Sequence, residues 1–138
     1  MLKATGSAAA ISILGGIPLT MSGENKITPV PEKDRKKILV IGAHPDDPEC
    51  GAGGTMCLLS DAGHEVVSVY LTRGEAGIKG KSHAEAAAIR VEEAKVACEV
   101  MKTRYIFLDQ IDGSSEVNKE RYDEMREMLE REKPDVVI

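Results

Sequence analysis

The stretch His44-Pro-Asp-Asp-Pro-Glu-Cys-Gly-Ala-Gly-Gly-Thr55 limits what this chain can fold into more than any other. It follows Lys37-Ile-Leu-Val-Ile-Gly-Ala43, whose unbroken apolar run is that of a parallel strand buried on both faces. Open α/β sheets place their chemistry on the loops at the carboxyl ends of such strands. One imidazole and two carboxylates fall within the four positions His44 to Asp47, and Pro45 and Pro48 stiffen the backbone around them. A divalent cation would satisfy that crowding. Histidine nitrogen with aspartate oxygen is a mixture that zinc accepts in open catalytic sites. With His44 and Asp47 as ligands, Asp46 is left beside the ion, placed to take a proton from water. A plainer reading also stands, in which the aspartates bond local amides in a turn that caps the strand.

The rest of the pattern alternates strand and helix. Glu65–Thr72 and Tyr105–Asp109 read as further strands, and Asp135–Ile138 as the start of a fourth. A helix is expected from Gly53 to Gly63, with Thr55, Met56, Leu58 and Leu59 on its apolar side. Ser82-His-Ala-Glu85 matches a capping box, opening a helix to about Met101 with Ala87, Val91, Ala94, Cys98 and Met101 in one stripe. Asn118–Lys133 reads as an amphipathic helix with Tyr122, Met125, Met128 and Leu129 inward and a Glu127–Arg131 pair on its surface. This order predicts an α/β, Rossmann-like three-layer fold with a mostly parallel sheet, the fourth strand lying next to the first to form the ligand crevice. A nucleotide-binding module fits poorly. Gly51-Ala-Gly-Gly-Thr55 lacks the dinucleotide glycine spacing, and no acidic residue ends the next strand to hold a ribose.

Topology sorts the other candidate groups. His64 precedes the second strand and belongs to the opposite edge of the sheet from His44. His83 falls in the first turn of its helix near the catalytic edge and stays an outside candidate for a metal. Cys50 adjoins the proposed metal and could be a soft ligand or a packing residue, whereas Cys57 and Cys98 read as core. Arg73 and Glu75 follow the second strand, so they line the pocket or form a solvated turn. By spacing, Arg90 pairs with Glu93 or Glu85. Asp112 sits in the loop after the third strand, in a turn with Gly113 or within reach of a ligand.

Composition excludes little. The 138 residues, 42% hydrophobic and 30% charged, suit one globular domain after the amino-terminal segment. A net charge of -5 offers no basic footprint for nucleic acid, and no segment is a convincing membrane span. Three cysteines make no disulfide framework. Residues 1–22 differ from the remainder: Lys3 leads into a small-residue apolar segment without acids, similar to a bacterial export signal, with a tail or a first helix as the other readings. Residues 23–36, with Pro29 and Pro31, follow as a linker, and 37–138 form the domain.

Ala43 to Thr55 also resembles the signature of the PIG-L/LmbE-like zinc-dependent deacetylases, an Ala-His-Pro-Asp-Asp block before a Gly-Gly-Thr helix start. The resemblance continues at Leu71-Thr-Arg-Gly-Glu-Ala-Gly77, at Arg90-Val-Glu-Glu-Ala94 and at Asp112-Gly113, and covers residues 37–138. It implies a hydrolase that removes the N-acetyl group from an N-acetylglucosamine-type sugar or conjugate. It further implies Zn2+ held by His44 and Asp47, Asp46 as general base, and Arg90, Asp112 and Glu75 around the substrate. The third zinc ligand implied by the resemblance is a histidine shortly after the fourth strand, which this sequence does not contain. The expectation is therefore an amino-terminal half, ending after the fourth strand. A non-catalytic carbohydrate-binding remnant of such an enzyme is the alternative. Oligomeric state is not written in these residues.

Overall fold

A computed structural model describes residues 27–138. The expected export signal and the first part of the linker lie outside the described residues. The linker's last part is packed onto the domain: a short 3-10 turn spans Glu32–Asp34, and the Val30 amide donates to the Ala62 carbonyl at 2.8 Å.

The chain then runs β1 (Lys37–Gly42), α1 (Asp47–Asp61), β2 (Glu65–Tyr70), α2 (His83–Met101), β3 (Arg104–Phe107), α3 (Lys119–Glu132) and β4 (Val136–Val137). All strand pairs are parallel, and the order across the sheet is β3-β2-β1-β4. The chain thus builds outward from β1 to β3, then crosses back to lay β4 on the free side of β1. That reversal is the switch point where doubly wound sheets open a crevice, and it places β4 next to β1 as the sequence predicts.

Both faces of the central strands β1 and β2 are covered, which is why they read as continuous apolar runs, whereas Val136 and Val137 of β4 are exposed. Ile38, Val40, Val66 and Tyr70 pack under α1 and α2 with Met56, Ala94, Cys98 and Met101. Leu39, Val67 and Val69 face the other way, with Leu108 and Met128 of the α3 side. The Ser82 capping box is present, with the Ser82 Oγ accepting from the Glu85 amide and the Glu85 carboxylate accepting from the Ser82 amide. Asn118 caps α3 by accepting from the Arg121 amide at 3.0 Å.

Several expectations on helix faces need correction. α1 begins at Asp47, not near Gly53, because Pro48 is tolerated in the first turn where an amide has no helical partner. Leu58 is exposed, so α1 is buried through Met56, with Ala52, Cys57 and Leu59 packed around it. Cys50 is also exposed and has no packing role. Tyr122 is 67% exposed: it lies in the first turn of α3, at a shallow cleft beside Leu71, Gln110, Glu116 and Val117 of the loops after β2 and β3. The Glu127–Arg131 pair is not among the described ion pairs. Arg131 instead meets Glu132, and Arg126 spans Asp123 and Glu130.

One contact fixes where α1 starts. A methyl group on Gly42 would lie 2.5 Å from Asp47 Cβ and 2.6 Å from Pro48 Cδ, so the helix entry can cross the end of β1 only over a bare Cα. Gly54 differs, since nothing approaches its Cβ position within 4 Å. Gly42→Ala is expected to cost about 2 kcal/mol or more, whereas Gly54→Ala should stabilise by about 0.5–1 kcal/mol, the ordinary gain in a helix interior. Urea denaturation of both variants checks this, and equal effects would contradict the close approach.

Candidate functional site

The loops that follow β1, β2 and β3 meet at the carboxyl edge of the sheet. Thr72 ties the first two together: its Oγ1 donates to the Ala43 carbonyl at 2.9 Å and accepts from the Gly74 amide at 3.2 Å. Glu75 and Asp112 tie the second to the third. Glu75 Oε2 accepts from the amides of Arg73 at 3.2 Å and Asp112 at 3.1 Å. The Asp112 carboxylate answers by accepting from the Ala76 amide at 3.1 Å and by bonding His44 Nε2 at 2.9 Å.

His44 and Asp47 come together as the spacing predicts. His44 Nδ1 lies 3.4 Å from Asp47 Oδ2, and the same oxygen accepts from the His44 amide at 2.8 Å. Two ligands on one tetrahedral ion with bonds of about 2.0–2.1 Å stand about 3.3–3.4 Å apart. The pair therefore fits two adjacent positions of a zinc site. Among the described residues, no group of three or more His, Cys, Asp or Glu is arranged to hold a metal. His83 is an exposed residue at the start of α2, and His64 is turned to the opposite edge, where its Nδ1 accepts from the Lys36 amide at 3.0 Å.

Asp46 occupies an unusual backbone position. It is the residue before α1, with φ 110° and ψ −26°, and its side chain makes no capping bond to the helix. An aspartate at a helix start normally accepts from an amide two or three residues on. Here the carboxylate turns to α2 instead, where Arg90 Nη2 bonds Asp46 Oδ2 at 2.5 Å. The same guanidinium donates to the Pro45 carbonyl and, at 2.6 Å, to Glu93. Burial works against the Arg90 charge, but the hydrogen bonds to Asp46 and Glu93 outweigh it and hold the guanidinium above its ordinary value. The expected choice between Glu93 and Glu85 thus resolves to Glu93 plus a partner on another loop. The side chain is spoken for, so an approaching anionic group meets an engaged Arg90 rather than a free one.

Two residues went unread in the sequence. Glu49, in the first turn of α1, lines a cleft of about 170 Å3 with Pro45, Asp46, Arg90, Glu93 and two alanines of α2. Its Oε1 accepts from the Tyr70 hydroxyl, and its Oε2 is buried without a hydrogen-bond partner among the described residues. Burial, then the contacts with Cys98 and Glu49, push the Tyr70 phenol far above its ordinary value, so it stays protonated and donates to Glu49. The signal was available: with α1 starting at Asp47, Glu49 faces the sheet below it, but a helix start at Gly53 hides that. Arg73, the other pocket candidate, pairs with Asp109 at 3.0 Å.

A non-glycine residue at φ 110° stores strain of about 1–3 kcal/mol. Asp46→Gly and Asp46→Ala both lose the Arg90 bond, and only the glycine accepts the conformation freely. Asp46→Gly is therefore expected to be the more stable by about 1 kcal/mol in chemical denaturation. A less stable glycine variant would contradict the strained backbone.

The sequence profile of the PIG-L family, described as GlcNAc-PI de-N-acetylase, matches residues 39–138. The diacetylchitobiose deacetylase of Thermococcus kodakarensis is 36% identical over 111 residues, which is 78% of this chain and 42% of that protein. The structure of N,N'-diacetylchitobiose deacetylase from Pyrococcus horikoshii, complexed with an inhibitor, superposes with a TM-score of 0.71 at 36% identity, covering 76% of this chain and 40% of that one. A 4-carboxy-2-hydroxymuconate hydratase from Pseudomonas putida also superposes, with a TM-score of 0.68 at 28% identity over 74% of this chain and 45% of that one. The chain thus spans less than half the length of these relatives.

Proposed function

From the premise that this chain belongs to the PIG-L family, we propose that the full-length protein hydrolyses the N-acetyl group of an N-acetylglucosamine-type sugar or conjugate, with zinc as its metal. Deacetylase relatives at 36% identity support the reaction class. The observation that carries the reading is the 3.4 Å separation of His44 Nδ1 and Asp47 Oδ2, the edge of a tetrahedral site. Those two residues would hold the ion, and a third protein ligand would come from outside residues 27–138. A bound zinc would supply Lewis acidity, making a neighbouring water acidic and the amide carbonyl electrophilic.

The chain's own residues supply the proton chemistry. Asp46 accepts a proton from the attacking water, the new C–O bond forms at the acetyl carbon, and the proton passes to the amine as the C–N bond breaks. Free acetate and a free amino sugar result. Arg90 holds Asp46 Oδ2, and among the described residues Oδ1 has no hydrogen-bond partner, which leaves that oxygen available to accept the proton. We assign Arg90 to aiming Asp46, and Glu75 to joining the loops after β2 and β3, rather than to touching substrate. The hydratase relative shares the fold with a different reaction in its name, so acetate release decides the matter.

Two substitutions in the full-length protein are expected to fail differently. Asp47→Asn should lose zinc. Asp46→Asn should keep most of it and lose turnover on N,N'-diacetylchitobiose by about a hundredfold or more. Metal analysis with an acetate assay checks both. Equal zinc loss in the two variants, or undiminished turnover by Asp46→Asn, would overturn the assignment. Sugar binding by the wild type without acetate release would favour the carbohydrate-binding alternative.

We also place the mature protein outside the cytoplasm, on the acid-free apolar segment after Lys3. Amino-terminal sequencing of the native protein is expected to find a start between Pro18 and Lys26. An intact Met1 on cytoplasmic protein would contradict it.

A further inference from the structure

We infer that Asp112 is the positioning residue for His44: it keeps the ring proton on Nε2 and so presents a bare Nδ1 to the ion beside Asp47. The inference rests on the zinc reading only for what occupies that position. The hydrogen bond itself belongs to the metal-free chain.

A neutral imidazole carries one N–H and one lone pair, and an ionised carboxylate can only accept. His44 Nε2 sits 2.9 Å from Asp112 Oδ1, so the ring proton lies between them and the lone pair is on Nδ1. The opposite tautomer would set two lone pairs against each other there and an N–H where a ligand atom is required. Nδ1 is the nitrogen that approaches Asp47 Oδ2 to 3.4 Å. The Asp112 end of the ring sets this tautomer, and with a cation between Nδ1 and Asp47 Oδ2 the other end agrees with it.

Asp112 is suited to this work and poorly placed to do another. Its side chain is 15% exposed. Its second oxygen accepts from the Ala76 amide at 3.1 Å, and its own amide donates to Glu75 at 3.1 Å. With one oxygen on His44 and the other on the backbone of the loop after β2, the carboxylate is held in orientation on two sides. A sugar hydroxyl could engage it only by displacing one of those partners. Residues that orient a metal-binding histidine in this way govern metal affinity without touching substrate. The histidine, the aspartate and the Ala76 amide each follow a different strand, so the relative position of three loops is written into the direction of one imidazole.

The test uses the full chain, 15N-labelled and free of metal, with all variants compared at one pH. Two-bond 15N–1H spectra report which ring nitrogen carries the proton, and a His44→Gln variant separates the signal from those of the other histidines. Asp112→Ala and Asp112→Asn are compared with the wild type, with circular dichroism to show that each is folded. The wild type is expected to show His44 fixed as the Nε2–H tautomer. Asp112→Ala should show a mixture, and its zinc affinity by titration should fall about 10–100-fold. Asp112→Asn keeps an acceptor oxygen and should lie between them, and it decides the point if the alanine variant does not fold. A wild-type proton on Nδ1 would overturn the inference. So would an unchanged tautomer and unchanged zinc affinity in both variants. A wild type with the fixed Nε2–H tautomer that Asp112→Ala releases, yet with no uptake of zinc, would support the role of Asp112 and overturn the zinc reading instead.

Discussion

The site depends on the crossing of the α1 entry over Gly42. Space for Asp47 and Pro48 exists there only because the last residue of β1 has no side chain. From that crossing the chain must reverse direction within His44 to Asp47, which throws Asp46 into positive φ and brings Asp47 back under His44. A helix starting farther along, as the glycines at 51, 53 and 54 suggest, would leave the two aspartates on a free loop. Starting it at Asp47 sets Asp47 in the first turn, and Asp46 at the entry, of a helix packed against the sheet. A ligand held on a packed helix keeps its geometry far better than one on a mobile turn.

The second constraint is that three loops agree. Each follows a different parallel strand, and parallel strands are bonded to one another in fixed register, so their carboxyl ends are level. Thr72, Glu75 and Asp112 convert that alignment into side-chain geometry by bonding across the gaps. The strain at Asp46 is affordable in such a setting. Its carboxylate gives up the helix cap and gains Arg90, while the β1–β2 pairing holds the flanking chain in place. Strain that persists because the surroundings determine it is characteristic of functional positions.

Much of the fold was legible because its signals are local. β1 read as a buried strand from a single apolar run. The Ser82 box marked the start of α2 because the cap residue and its partner are three positions apart. His44 and Asp47 were legible for the same reason, being three apart with a proline between them. What the sequence hid was of two kinds. Pro48 and the glycines look like loop chemistry, yet proline is at home in a first helical turn, and Gly53 packs without clash near Met101. Partners far apart in the chain were also beyond reach. Arg90 finds Asp46 across 44 positions and His44 finds Asp112 across 68, and no periodicity announces either bond. Glu93 was found as a partner of Arg90 because it lies one helical turn away.

The most direct test of the account is where a metal sits in the full-length protein. Crystals of the zinc-loaded protein, measured on both sides of the zinc absorption edge, would locate the ion by its anomalous scattering. The account predicts one peak about 2.1 Å from both His44 Nδ1 and Asp47, with the bond from His44 Nε2 to Asp112 retained. A peak on Nε2 with Asp112 displaced, or none at His44 while zinc binds elsewhere, would contradict it.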